Sequence, residues 1–152
     1  MSITMQDVTR YLDADEPDYE LAALLGPDAL AQLELLVRGR DPMLASKATH
    51  LAGLIRDPGA LQVLQAAAES AEPIVRIAAA STAALLPSDQ ASTLLSRLLT
   101  DSDPEIRRIA IESIASEAPP QLERVLGDLA RADPYPSIRD SAAKVLRRSS
   151  QH

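Results

Sequence analysis

Cysteine, phenylalanine and tryptophan do not occur in the 152-residue chain, and tyrosine is found only at Tyr11, Tyr19 and Tyr135. Without cysteine there is neither a disulfide framework nor a thiolate metal site. Histidine is confined to His50 and His152, so a multi-histidine metal centre is absent and a Ser-His-acid triad has only His50 to draw on. The five glycines, Gly26, Gly39, Gly53, Gly59 and Gly127, are scattered and build no phosphate-cradling loop. Positive charge is in short supply: the net charge is −7 and the pI about 4.8, whereas a nucleic-acid partner calls for a broad basic face with interleaved aromatics. No apolar run approaches the ~18 residues of a membrane span, and the opening MSITMQDVTR lacks a basic stretch followed by an apolar core. The expectation is a soluble, cytoplasmic, non-enzymatic protein with no catalytic residue, no metal, no cofactor, no nucleic-acid partner and no membrane partner.

What the chain does have is a period. Leu33, Leu64, Leu95 and Leu126 recur every 31 residues, as do Pro42, Pro73 and Pro104, with Pro136 one residue late. Counted from these prolines, position +2 reads Leu44, Val75, Ile106 and Ile138, and position +6 reads Ala48, Ala79, Ala110 and Ala142. Two positions four apart lie on one helix face. Each unit therefore turns an aliphatic side chain and a small alanine inward, and the alanines let helices nest closely. A fixed period of this length marks a stack of helical hairpins, each burying its face against its neighbours.

Proline and its preceding acids punctuate the helices. Gly26-Pro27-Asp28, Asp57-Pro58, Leu86-Pro87-Ser88-Asp89 and Ala118-Pro119-Pro120 are expected to open the first helix of each hairpin. Asp41-Pro42, Glu72-Pro73, Asp103-Pro104 and Asp133-Pro134 are expected to open the second. This divides the chain into four hairpins, 27–56, 57–86, 87–117 and 118–150. Residues 1–26 would form a degenerate, acidic capping hairpin, with Thr4 and Asp7 spaced like a capping box and the whole forming one continuous domain. The predicted fold is an all-α, right-handed α-solenoid.

The strings DPMLASKATHLAGLIRDPGALQVL, EPIVRIAAASTAALL and DPEIRRIAIESIA resemble HEAT-like repeats of the phycobilisome-lyase type, related to the artificial alpha-repeat scaffolds. The likeness covers about residues 27–150. It implies a convex face of first helices, a concave face of second helices, and a concave face that binds a protein or a bound chromophore. The fourth hairpin, with Asp133-Pro134-Tyr135-Pro136, departs from the pattern by one residue. Two functions follow: a non-catalytic adaptor holding a partner segment, or, by resemblance alone, a lyase-like or chaperone-like component handling a tetrapyrrole-bearing protein.

Within the repeat frame some columns vary, and those are the candidate site. Positions +1, +4, +8 and +12 form a second face of the inner helix, away from the core stripe. They read Met43, Ser46, His50 and Leu54, then Ile74, Ile77, Ser81 and Leu85, then Glu105, Arg108, Glu112 and Ser116, and finally Ser137, Asp140, Lys144 and Arg148. Apolar residues crowd the first two units and charges the last two. Either the apolar group is an open partner-binding patch with a polar rim, or neighbouring helices cover it. Position +3 carries Arg76, Arg107 and Arg139, with Ala45 in the first unit, and is read as a structural ladder between units, with a ligand-binding ladder as the alternative. The charge is polar along the chain: residues 1–36 hold a net −7 and the remainder is neutral, with Arg139, Lys144, Arg147 and Arg148 near the other end. The predicted partner is another protein. The chain itself is expected to be a monomer, with weak head-to-tail association the alternative to two solvated caps.

Overall fold

The computed structural model describes residues 2–114 and 117–150, all helix and turn. Ser116 of the variable face and His152 lie outside the described residues. Two short helices come first, α1 (Met5–Leu12) and α2 (Tyr19–Ala22). Four longer pairs follow: α3 (Leu30–Val37) with α4 (Pro42–Leu54), α5 (Ala60–Ala68) with α6 (Pro73–Thr82), α7 (Ser88–Leu98) with α8 (Pro104–Glu112), and α9 (Pro120–Ala132) with α10 (Pro136–Ser149). Each first helix packs on the next first helix and each second helix on the next second helix. The result is a two-layered α-solenoid.

The repeating columns are the core. The leucines Leu33, Leu64, Leu95 and Leu126 and the alanines Ala48, Ala79, Ala110 and Ala142 are all buried, as are Val75, Ile106 and Ile138, while Leu44 is half-buried. Local chemistry starts the inner helices. Pro42, Pro73, Pro104 and Pro136 each occupy the first turn, where a missing N–H is harmless. Asp41 Oδ1 accepts from the Met43 and Leu44 N–H groups, and Asp103 Oδ1 from that of Glu105. Glu72 makes no such side-chain bond. Three of the expected openings differ. Pro27 starts only a single 3-10 turn ahead of α3, Pro58 sits in the turn before α5, and α10 begins at Pro136 instead of Pro134. The last difference arises because Asp133 is engaged elsewhere, as described below.

The N-terminal hairpin is tied down by polar bonds as well as by buried Val8 and Leu12. Thr4 and Asp7 form a reciprocal capping box. Lys47 Nζ donates to the carbonyls of Leu12 and Ala14 at 3.1 and 2.8 Å, and Gln32 Nε2 to that of Ile3 at 2.7 Å. Gly26, with φ of 74°, makes the turn from this hairpin into the repeats, a conformation that side chains resist.

At Gly53 the helices α4 and α6 approach closely. A Cβ at Gly53 would stand 2.1 Å from Cγ2 of buried Thr82. Gly53→Ala is expected to cost about 1–3 kcal/mol by overpacking, outweighing alanine's helix-propensity gain of up to about 1 kcal/mol. Thermal denaturation of this variant and of Gly53→Ala with Thr82→Ser checks it. The second change removes the obstructing methyl and should recover most of the loss, whereas equal melting of wild type and Gly53→Ala contradicts the close-contact account.

Candidate functional site: the exposed face of the inner helices

On the second-helix side, the large apolar residues of the variable columns are not covered. Met43 is 55% exposed, Ile74 41% and Leu85 42%, and Ile77 and Leu54 are half-buried. Met43 and Ile74 occupy the same position on the packed neighbours α4 and α6; at the other end Leu54 closes α4 and Leu85 stands in the 3-10 turn Ala83–Leu85 that follows α6. Along α4, eleven residues of helix separate Met43 from Leu54, about 16 Å at 1.5 Å per residue. Ile77 lies between the two ends with Ser46, His50 and Ser81.

The polar members of this face are already engaged within the chain. Ser46 Oγ donates to the Pro42 carbonyl at 2.9 Å and approaches that of Ile74 at 3.4 Å, stitching α4 to α6. Ser81 Oγ donates to the carbonyl of Ile77 at 3.0 Å. His50 packs edge-on against Tyr19, with ring centroids 4.6 Å apart. Burial holds the His50 pKa below its ordinary value and raises that of Tyr19, so the imidazole is neutral at physiological pH and partly covered by the N-terminal hairpin.

The character of the face changes at α8. There Arg108 is clasped between two carboxylates one turn to either side, donating through Nε to Glu105 at 3.0 Å and through Nη1 to Glu112 at 2.6 Å, with a further contact from Nη2 to Glu105. The Arg108 hydrogen bond keeps the Glu105 carboxyl below its usual range. This exposed triad is a hydrated, nearly self-neutralised surface, and on α10 Ser137, Asp140, Lys144 and Arg148 are exposed too. The apolar part of the face is thus confined to α4, α6 and the 3-10 turn that follows α6.

Where the apolar face meets the turn into α7 there is a pocket of about 180 Å³, lined by Gly53, Ile55, Arg56, Leu85, Leu86 and Gln90. Gln90 Oε1 is buried without a hydrogen-bond partner among the described residues. Of the pocket residues, only Leu85 belongs to the variable columns. Gly53 belongs to the last turn of α4, and the others lie in the inter-unit turns and the start of α7.

The arginine column points elsewhere. Arg76 Nε donates to Asp101 at 2.9 Å and its Nη1 to the Ser70 carbonyl. Arg107 Nε and Nη2 donate to the two oxygens of Asp133 at 2.8 and 3.3 Å, and its Nη1 to the Asp101 carbonyl at 2.8 Å. Arg139 Nη1 donates to the Asp133 carbonyl at 2.6 Å. Each arginine grips the turn of its own hairpin, and the first two reach an aspartate in the turn of the next. That aspartate stands three residues before Pro104 or Pro136, not beside the proline. In the first unit, where Ala45 replaces the arginine, the corresponding turn residue is Ser70.

The family profile for HEAT repeats matches residues 29–115 and 91–152. The chain belongs to the HEAT-repeat family. No curated protein sequence matches it significantly. Among solved structures, this HEAT-repeat chain is similar to one in the complex of CpcE and CpcF of phycocyanin lyase from Nostoc sp. PCC7120, with a TM-score of 0.68 and 21% identity over 93% of this chain and 96% of that one. That likeness is one of fold. No helix among the described residues is long and apolar enough to cross a membrane.

Proposed function

We propose that this HEAT-repeat chain is a non-catalytic protein-binding scaffold, and that the α4–α6 face holds an apolar segment of a partner protein. The observation that carries the reading is the exposure of Met43 on α4, Ile74 on α6 and Leu85 in the turn that follows α6, on a face where Leu54 and Ile77 are only half-buried. Exposed apolar groups rimmed by polar ones are the usual anatomy of an interaction site. The spacing favours a segment that presents apolar groups about 16 Å apart, the rise of roughly three helical turns. The pocket beside Leu85 suits one anchoring side chain that brings a donor to Gln90 Oε1. Ser46, His50, Ser81 and Leu54 would frame the segment, and Glu105, Arg108 and Glu112 would form its polar border.

Affinity capture from the native cell, run in parallel with wild type and an Ile74→Asp, Ile77→Asp variant, tests this. Proteins held by the wild type are expected to fall away by tenfold or more from the variant, while its circular dichroism stays helical. If the folded variant retains the same proteins, the face is not the site. If the variant unfolds, Met43→Asp, at the most exposed of these positions, carries the test instead.

A second reading is supported by the fold likeness to the phycocyanin lyase pair: a component that handles a tetrapyrrole-bearing protein. It predicts colour. Co-expression with a bilin source followed by an absorption spectrum of the purified chain separates the two, since a scaffold for an apolar segment stays colourless.

A further inference from the structure

The arginine ladder has an open rung. Arg76 and Arg107 each spend Nε on an aspartate of the following hairpin, but Arg139 donates only Nη1, to its own turn, and its Nε and Nη2 have no partner among the described residues. The apolar positions around it are open as well. Val63 and Leu94 are buried where Val125 is half-buried, and Ala52, Ala83 and Ile114 are buried where Leu146 is half-buried. The face of α9 and α10 turned away from α7 and α8 is therefore built like the internal faces between units, but no hairpin among the described residues packs on it.

The opposite end of the molecule carries the complement. The turn between α1 and α2 holds Asp13, Asp15, Glu16 and Asp18, all exposed. It is the turn of a hairpin, the place from which Asp101 and Asp133 reach back to the preceding unit in theirs. In register with Pro17, Asp13 and Asp15 flank the position that Asp101 holds before Pro104. Beside this turn Leu21 is 48% and Leu24 80% exposed, on an end where residues 1–36 carry a net −7. Beside Leu146 on α10 stand Arg139, about two helical turns away, and exposed Arg147.

We propose that the acidic N-terminal hairpin of a second copy of this chain docks on the open face of α9 and α10, a turn carboxylate from Asp13 or Asp15 taking the free Nε and Nη2 of Arg139 while Leu21 and Leu24 cover Val125 and Leu146. The contact is head-to-tail, so it propagates into short chains of molecules and does not stop at a symmetric pair. Its ionic part is exposed at the rim and weakens with salt. It uses a different surface from the concave-face reading and stands or falls separately.

Sedimentation velocity of the purified chain at rising concentration and low ionic strength is the test. Species heavier than the monomer are expected to grow with concentration and to revert to monomer at high salt. Arg139→Glu is expected to weaken the association by about tenfold or more, the scale of a charge-assisted hydrogen bond. Asp13→Lys with Asp15→Lys, in a solvent-exposed turn where folding is not at stake, should do the same, and mixing the two variants should restore association. Ile74→Asp should leave it unchanged. A chain that remains monomeric at every concentration in low salt overturns the proposal, and so does an association that survives the Arg139 and turn variants alike or that Ile74→Asp abolishes.

Discussion

Replacing Arg107 with alanine is expected to lower stability by about 3–5 kcal/mol, because a buried carboxylate is left without its charge partner. The side chains of Arg107 and Asp133 are only 11% and 2% exposed. Without the guanidinium, Asp133 keeps one donor among its side-chain contacts, the Tyr135 N–H at 3.0 Å. In a chain of this size the loss corresponds to a fall in Tm of roughly 6–20 °C. Removing both charges, as Arg107→Met with Asp133→Leu, should recover much of it, since a buried pair exchanged for apolar groups of similar volume is often neutral or better. A melting temperature untouched by Arg107→Ala returns the arginine column to the ligand-binding alternative.

The same pair sets an acid limit. Burial is the strongest influence on the Asp133 carboxyl and pushes its pKa up, but the Arg107 hydrogen bonds, the Tyr135 N–H and the charges of Arg107 and Arg139 together override it and hold the group below the ordinary aspartate value near 3.8. A carboxyl that is more acidic when folded contributes stability above its unfolded pKa and loses it as pH falls through the folded value. Denaturant titrations of wild type and Asp133→Asn should therefore differ at neutral pH, draw together as pH falls below about 4, and meet only below the depressed folded pKa.

Leu64→Ala is expected to cost about 2–5 kcal/mol, the range for emptying a fully buried leucine site. Leu64 is 0% exposed, and α5 contacts α3, α6 and α7, so the cavity weakens both the hairpin and its links to each neighbour. In a one-dimensional stack, stability is the sum of unit and nearest-neighbour contributions. A defect in an interior unit should therefore broaden urea unfolding and lower the apparent m-value as well as the midpoint. An unchanged midpoint would contradict the core assignment of the leucine column.

The core was legible because stacking forces chemistry to recur. Every unit meets the same neighbour geometry, so Leu33 to Leu126 and Ala48 to Ala142 could be found by counting. The inner-helix starts at Pro42, Pro73 and Pro104 were legible for the same reason. The start of α10 was misplaced because two prolines stand close together, and only the capture of Asp133 by Arg107 decides between them. For the apolar columns the pattern placed Met43, Ile74 and Leu85 on one face, but a helix face alone does not say whether a neighbour covers it. Their exposure depends on how neighbouring units pack, which the column pattern alone does not give. The ladder's acids leave only a faint trace in the sequence: Asp101 and Asp133 occur in the turns that follow Arg76 and Arg107, and Ser70 in the one that follows Ala45. The acids beside the prolines were more conspicuous, yet Asp41 and Asp103 serve as helix caps. The Gln90 pocket had no such trace, since inter-unit turns supply much of its wall.

The pairing of Ala45 with Ser70, and of arginine with aspartate at the next two junctions, also fixes the grammar of the chain. Similar helices suggest interchangeable beads, but the junctions are not interchangeable. If the third hairpin were spliced in ahead of the second, Arg107 would confront Ser70 and Ala45 would confront Asp101, burying one charge of each sign without its mate. A shuffled gene would thus encode the same helices and a poorer protein. Lengthening such a chain, in evolution or at the bench, requires copying each arginine together with the aspartate of the unit that follows it.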